Sequence, residues 1–267
     1  MTPTQAPVTS GAGPSGPRLE MTITPGVSFP DWSVVTSQTV RETLDSIFEV
    51  MGVEELWSGL GDAEDRVRRA ILDYYAEAGR APSLPRLAEI TRFGPGELRA
   101  LLEKLEARDM VVLDPRGETI TGAYPFTERD TGHQVRLGDR VLNAMCAIDA
   151  LGVGAMYGKD ASIESTCPAC GAAIHIETRD HGAALAGFSP SGAVVWSGIQ
   201  YFGGCAAESL CRVMAFFCSD AHLASWRNAN HPDGKGFRLS MYEGLQAGKA
   251  IFTPMLAASS TKECCHE

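Results

Sequence analysis

The apolar residues of this chain change their period part-way along it. In the first half they recur at helical spacing, with Val40, Leu44, Ile47 and Phe48 in one stretch and Val67, Ile71, Tyr74 and Tyr75 in the next. After Tyr124-Pro125-Phe126, small residues, glycine and short β-prone runs take over, such as Ala161 to Ser165, Ala173 to Glu177 and Gly192 to Trp196. A stripe repeating every 3.6 residues buries one face of a helix, whereas short β-branched and aromatic runs bounded by turn residues suit strands. The pattern predicts an α+β protein: an N-terminal helical domain, then an α+β domain with a mostly antiparallel or mixed sheet and short helices.

Within the first half, two helices are expected before Gly79, followed by a short helix over Ser83–Ile90 with Pro85 in its first turn. A turn at Arg92-Phe93-Gly94-Pro95-Gly96 leads to a helix over Glu97–Asp109 that sets Leu98, Leu101, Leu102 and Leu105 on one face. Val111–Leu113, the turn Asp114-Pro115-Arg116-Gly117 and Glu118–Ile120 then read as a strand, a tight turn and a returning strand. Together these make a winged-helix-like unit. In the second half, helices are expected over Asp139 to about Leu151, over Ala206 to Phe217 and around Ala221 to Asn228. Residues 1–30 hold six prolines and four glycines and are too poor in apolar side chains to offset the entropy of ordering. The expected division is therefore a flexible leader over 1–38, a helical winged-helix-like domain over 39–124, an α+β domain over 125–258 and a tail over 259–267.

Charge and hydropathy exclude several classes of function. With 23 Lys and Arg against 33 Asp and Glu, the formal charge of −10 is the wrong sign for a nucleic-acid binder. Between Arg66 and Arg108 nine basic residues face six acidic ones, a small local excess that suits a packing module better than phosphate neutralisation. No apolar run reaches the roughly 18 residues of a membrane span, and the N-terminus has no basic and apolar leader, so a cytoplasmic protein is expected, with neither nucleic acid nor membrane as partner.

The eight cysteines carry the chemical information. Without a secretory signal they read as thiols or metal ligands. Cys146 and Asp149 are three apart in the helix expected over 139–151, which sets a nucleophile and an acid on one face. A buried cysteine beside a surface aspartate would give the same spacing. Cys167-Pro168-Ala169-Cys170-Gly171 has the geometry of half a tetrahedral zinc site, whose completion would draw on Cys146, Cys205, Cys211 or a distant histidine. The six histidines show no HxxxH or HExxH spacing. Cys211 lies in an apolar run that would exclude water. Cys264 and Cys265 are adjacent near the C-terminus, either an accidental pair or two mobile thiols suited to carrying a soft ion.

These residues also resemble a known family. The run Asn143-Ala144-Met145-Cys146-Ala147-Ile148-Asp149-Ala150-Leu151 is similar to the Cys-Ala-x-Asp segment of the organomercurial (alkylmercury) lyases. Ala161–Cys167 with Gly171, Cys211 five residues before Phe216-Phe217, and Ser225-Trp226 follow in the family's order, and the likeness spans residues 60–258. By position, the resemblance implies that Cys146 and Cys211 bind mercury, that Asp149 relays a proton and that Cys167 is structural. It implies a mercury-detoxifying enzyme with no organic cofactor, mercury being substrate and product. Its partners would be organomercurial compounds, small-molecule thiols needed for turnover and a mercuric reductase. Arg212 stands where the family often has a second cysteine; Cys170, Cys205 and Cys218 have no counterpart. The Cys264-Cys265 pair resembles that of mercuric reductases and suggests a mercury relay. The alternative from a different class is a winged-helix metal sensor that uses Cys146, Cys167, Cys170 and Cys211 as ligands and binds DNA.

Overall fold

The structure, a computed structural model, describes residues 19–24 and 26–257. Residues 19–24 and 26–38, expected to continue the flexible leader, are instead built into the body. Strands β1 (Met21–Thr24) and β2 (Val27–Phe29) form an antiparallel hairpin, and Ile23, Phe29 and Val35 are buried. The Phe29 ring packs tilted against Trp57 and Phe48, with centroids 5.1 and 5.5 Å away, so a few well-placed apolar side chains anchor a segment whose composition reads as disordered.

Helices α1 (Gln38–Met51), α2 (Val53–Trp57) and α3 (Asp62–Ala78) follow, one more than expected before Gly79 because Gly52 adopts a left-handed conformation and breaks the run. The predicted apolar stripe of α1 is buried as a set, Val40, Leu44, Ile47 and Phe48. Helix α4 (Leu84–Thr91) starts on Ser83, which caps it, and α5 (Pro95–Ala107) buries Leu98, Leu101, Leu102 and Leu105. Strands β3 (Val111–Leu113) and β4 (Ile120–Ala123) form the expected hairpin around Asp114. That hairpin does not stand alone. It continues through β5 (Phe126–Thr127) into an eight-stranded sheet that runs across position 124.

The remaining elements are β6 (His133–Leu137), β7 (Arg140–Ala144), α6 (Ala147–Tyr157), β8 (Ala161–Thr166), β9 (Ala173–Arg179), β10 (Ala184–Ser189), β11 (Val194–Gly198), β12 (Met214–Phe217), α7 (Asp220–Asn230), β13 (Gly236–Ser240) and α8 (Met241–Phe252). The large sheet has the order β10-β9-β8-β6-β7-β5-β4-β3, and a smaller one has the order β12-β11-β13; every pairing among the described residues is antiparallel.

Two sequence expectations fail in this half. The helix expected over 139–151 is a strand followed by a helix. Gly138, at φ 60°, and Asp139 close a two-residue hairpin between Leu137 and Arg140, so Asp139 is a turn residue. The helix expected over 206–217 is a pair of short 3-10 turns (206–208 and 211–213) followed by β12, since pairing with β11 overrides the local periodicity.

Helix α6 lies between the two sheets and against α8. Its sequence AIDALGVGAMY is apolar or small on all sides, as a fully enclosed helix requires, and Asp149 is its sole carboxyl. Glycine permits the close crossing with α8: a Cβ on Gly248 would sit 2.7 Å from the Gly152 backbone nitrogen and 2.8 Å from the Ile148 carbonyl. Both are backbone atoms and cannot swing away. Gly248→Ala is therefore expected to lower stability by about 1–3 kcal/mol in urea denaturation; an unchanged midpoint would mean that α6 and α8 part at no cost.

Candidate active site

The hairpin β6–β7 delivers the chain into α6 through Met145 and Cys146. Cys146 is the N-cap of α6 rather than a residue within it, and its sulfur accepts the Asp149 amide at 3.5 Å. The same-face argument made from helical spacing is thus replaced by a capping one. An N-cap side chain folds back over the third helical residue, which brings Cys146 and Asp149 together just as closely. Cys211 reaches the site from the other side, in the 3-10 turn before β12, with Sγ 3.8 Å from the Asp149 carboxylate. The donor atoms of Cys146, Asp149 and Cys211 all lie within 4.8 Å of one another, and all three residues are buried. A fourth soft atom, Met214 Sδ, lies 3.8 Å from Cys146 Sγ.

Burial sets the protonation of this cluster. Removed from water, the Asp149 carboxyl is pushed up to about 7 despite hydrogen bonds from Cys146 and Cys211 that favour its charged form. Burial likewise raises the Cys146 thiol. Cys211 is raised further, first by its hydrogen bond with Cys146, then by burial and the neighbouring carboxylate. Near neutral pH the cluster therefore holds two thiols and a carboxyl poised to gain or lose a proton.

Cys211 borders two spaces. On one side an outer cleft of about 440 Å³ opens past Arg129, Thr131, His133 and Trp226. On the other an inner apolar cavity of about 50 Å³ is walled by Phe48, Met51, Trp57, Leu210 and Phe252. Small as it is, the inner space holds a few heavy atoms. A wider surface cleft of about 840 Å³ beside α3 and α4 is lined by no cysteine among the described residues.

The loop that carries Cys211 is held by Asp109, a residue that sequence reasoning missed. Asp109 is buried, adopts φ 53° and accepts the Ala206 amide at 2.8 Å and the Tyr201 and Tyr124 hydroxyls at 3.3 Å. Tyr124 in turn accepts the Ala207 amide at 2.7 Å. Burial raises Asp109 to about 6 against these bonds. Nothing local marks Asp109 in the sequence; its partners lie up to 97 positions away.

Of the other cysteines, Cys205 is half-buried at the start of that loop, and Cys264 and Cys265 lie outside the described residues. Cys167 and Cys170 do not join Cys146 and Cys211, as the sensor reading required; they meet Cys218 and His222 in a second cluster. The spacing Cys218-Ser219-Asp220-Ala221-His222 was the overlooked signal.

A family model for alkylmercury lyase matches residues 126–253, the span that holds the cluster. Three proteins named alkylmercury lyase are similar over most of this chain. The Clostridium butyricum protein is 25% identical over 77% of this chain and 90% of its own length. The Bacillus cereus protein is 26% identical over 72% and 84%, and the Streptomyces lividans protein 25% identical over 78% and 93%. The chain is similar to alkylmercury lyases over most of its length. Its fold also matches that of a solved structure, the mercury-bound form of MerB2, with a TM-score of 0.65 and 24% identity, covering 79% of this chain and 99% of that one. The chain carries its cysteine–aspartate cluster at the junction of a strand-to-helix turn and a loop anchored from the helical half.

The raised Asp149 carboxyl has a stability consequence. The folded protein binds this proton more tightly than the unfolded chain, so stability falls as pH rises from the ordinary 3.8 to about 7 and is level above that. The difference corresponds to about 4 kcal/mol. Asp149→Asn is expected to match the parent near pH 4 and to exceed it by up to that amount near pH 8, read by denaturant titration; parallel pH profiles for the two proteins would show that the carboxyl is not raised.

Proposed function

We propose that this protein cleaves the carbon–mercury bond of organomercurials by protonolysis, with Cys146 and Cys211 binding mercury and Asp149 relaying the proton. The observation that carries the reading is the buried meeting of two thiols and one raised carboxyl beside an apolar cavity. The relatives' shared name supports it.

Thiolates are the soft ligands a protein offers to a soft cation. In the first step one cysteine sulfur bonds to mercury in R–Hg–X, and its proton leaves with X. The second cysteine then bonds to the same mercury, passing its proton to the Asp149 carboxylate. As mercury gains this second sulfur, electron density moves to carbon, and Asp149 delivers the proton to the departing carbanion. The products are RH and Hg(II) held by two sulfurs; one thiol proton ends on carbon and the other in solvent. A carboxyl near 7 suits a relay that must both accept and donate. No resident cofactor enters these steps. Small thiols would lift Hg(II) from the site, and a mercuric reductase would consume it in the cytoplasm. Cys264 and Cys265 are proposed as a relay for that transfer.

Among substrates, small alkyl groups suit the inner cavity best, since the aromatic and methionine walls leave little room. The DNA-binding sensor reading is not supported. Arg66, Arg68, Arg69, Arg86, Arg99 and Arg108, six of the basic residues that would face phosphate, are engaged within the protein. Arg68 and Arg69 bind Asp65 and the carbonyls of residues 255–257, and Arg108 binds Glu64 with the carbonyls of Leu56 and Ser58.

The deciding assay measures hydrocarbon and free Hg(II) from methylmercury with reduced protein in excess thiol. Multiple turnovers are expected from the parent, with at least a hundredfold loss in each of Cys146→Ser, Cys211→Ser and Asp149→Ala. Stoichiometric mercury binding without hydrocarbon would sink the lyase reading. Met51→Ala is expected to raise the phenylmercury to methylmercury ratio of kcat/KM by a few-fold to about tenfold, and a fixed ratio would remove the inner cavity from specificity. A Cys264→Ala, Cys265→Ala double variant is expected to release mercury more slowly into limiting thiol; release at the parental rate would remove the tail from the mechanism.

A further inference from the structure

The second cysteine cluster takes no part in the chemistry above. Cys167 and Cys170 come from the turn between β8 and β9, Cys218 from the end of β12 and His222 from the first turn of α7. Their donor atoms all lie within 4.8 Å of one another. Cys170 Sγ is 3.6 Å from Cys218 Sγ, and Cys218 Sγ is 2.7 Å from His222 Nδ1. A tetrahedral zinc ion with Zn–S bonds of about 2.3 Å sets its sulfurs about 3.8 Å apart, so one ion reaches all four donors with shifts of about an ångström or less.

The surroundings are shaped for such an ion independently of those distances. Gly171 takes a φ of 73° and donates its amide to the Cys167 carbonyl at 2.8 Å, closing the Cys-x-x-Cys turn, while Cys167 N–H donates to the Ala172 carbonyl at 2.8 Å. The amides of Cys218, Ala169 and Cys170 face the Cys167 sulfur, the arrangement that supports a bound thiolate. Ser219 caps α7 by accepting the His222 amide at 3.2 Å, which orients the imidazole toward the sulfurs. The spacing Cys-x2-Cys with Cys-x3-His is a closed four-ligand set, with no position left for substrate or water.

We propose that Cys167, Cys170, Cys218 and His222 form a structural zinc site that fastens the small sheet to the large one. Binding Zn(II) releases three protons, one from each thiol, with no change of oxidation state. The fastening has a specific location. The β8–β9 turn belongs to the eight-stranded sheet, whose β7 leads into Cys146, whereas Cys218 ends the strand that begins just after Cys211. Thr166 and Pro168 line the outer cleft together with Met214 and Ala215. An ion at its rim would hold together the two parts of the fold that supply the two buried thiols.

The test is metal content, which does not depend on turnover. Protein produced in zinc-supplemented medium and purified with reductant but no chelator is expected to retain about one zinc per chain by mass spectrometric metal analysis. Cobalt(II) exchanged into it should give the intense visible bands of a tetrahedral site with thiolate charge transfer. Zinc content should fall at least tenfold in Cys218→Ser and His222→Ala, persist in His222→Cys, and be unchanged in the Cys146→Ser, Cys211→Ser double variant and in the Cys264→Ala, Cys265→Ala double variant. Zinc-free parent protein with reactive thiols, or a Cys170–Cys218 disulfide found by peptide mapping, would overturn the proposal. So would zinc that stays in Cys218→Ser and His222→Ala but leaves with Cys211.

Discussion

A carboxyl group placed in a helix that water does not reach is the constraint on which the rest of this structure turns. Helix α6 is enclosed by two sheets and by α8, and Asp149 enters that apolar setting without a cationic partner. Its charge is therefore costly, and the carboxyl is held near neutrality, the condition that the proposed proton relay requires. The small residues of α6 serve the same end. Gly152 and Gly248 bring α8 against it, which excludes the water that would otherwise lower the carboxyl again.

The two thiols reach Asp149 from different parts of the molecule. Cys146 arrives with the large sheet, as the cap of α6, while Cys211 arrives on a loop whose conformation is imposed by Asp109 and Tyr124. The helical half thus acts on the chemistry in two ways. It anchors the Cys211 loop through Asp109, and it lends Phe48, Met51 and Trp57 to the inner cavity. Carbon–mercury protonolysis asks for this combination: soft ligands on the metal, an acid within reach of carbon and little water to compete.

Much of this was legible from residues alone. The apolar stripes of α1, α3 and α5 follow a 3.6 period, and β8, β9 and β11 coincide with short β-prone runs. Where the reading failed, long-range pairing was the reason. Arg140–Ala144 has residues acceptable to a helix, yet pairs with β6 and β5; residues 206–217 are similar, with β11 as the partner. The hairpin at 21–29 was read as disordered because composition does not register that Phe29 has Phe48 and Trp57 waiting for it.

The same division holds for the site. Cys146, Asp149 and Cys211 could be picked out as residue types and by family resemblance, since soft thiols and an acid three positions away are local features. Sequence alone therefore determined which atoms are available and that Cys146 and Asp149 are neighbours. Only the tertiary structure decided that Cys211, 62 positions from Asp149, completes the cluster, that Asp109 holds its loop, and that Cys218 and His222 complete Cys167 and Cys170. The physical reason is that spacing specifies contacts within one turn of chain, whereas contacts between segments depend on how the sheets and helices bury their apolar faces against one another.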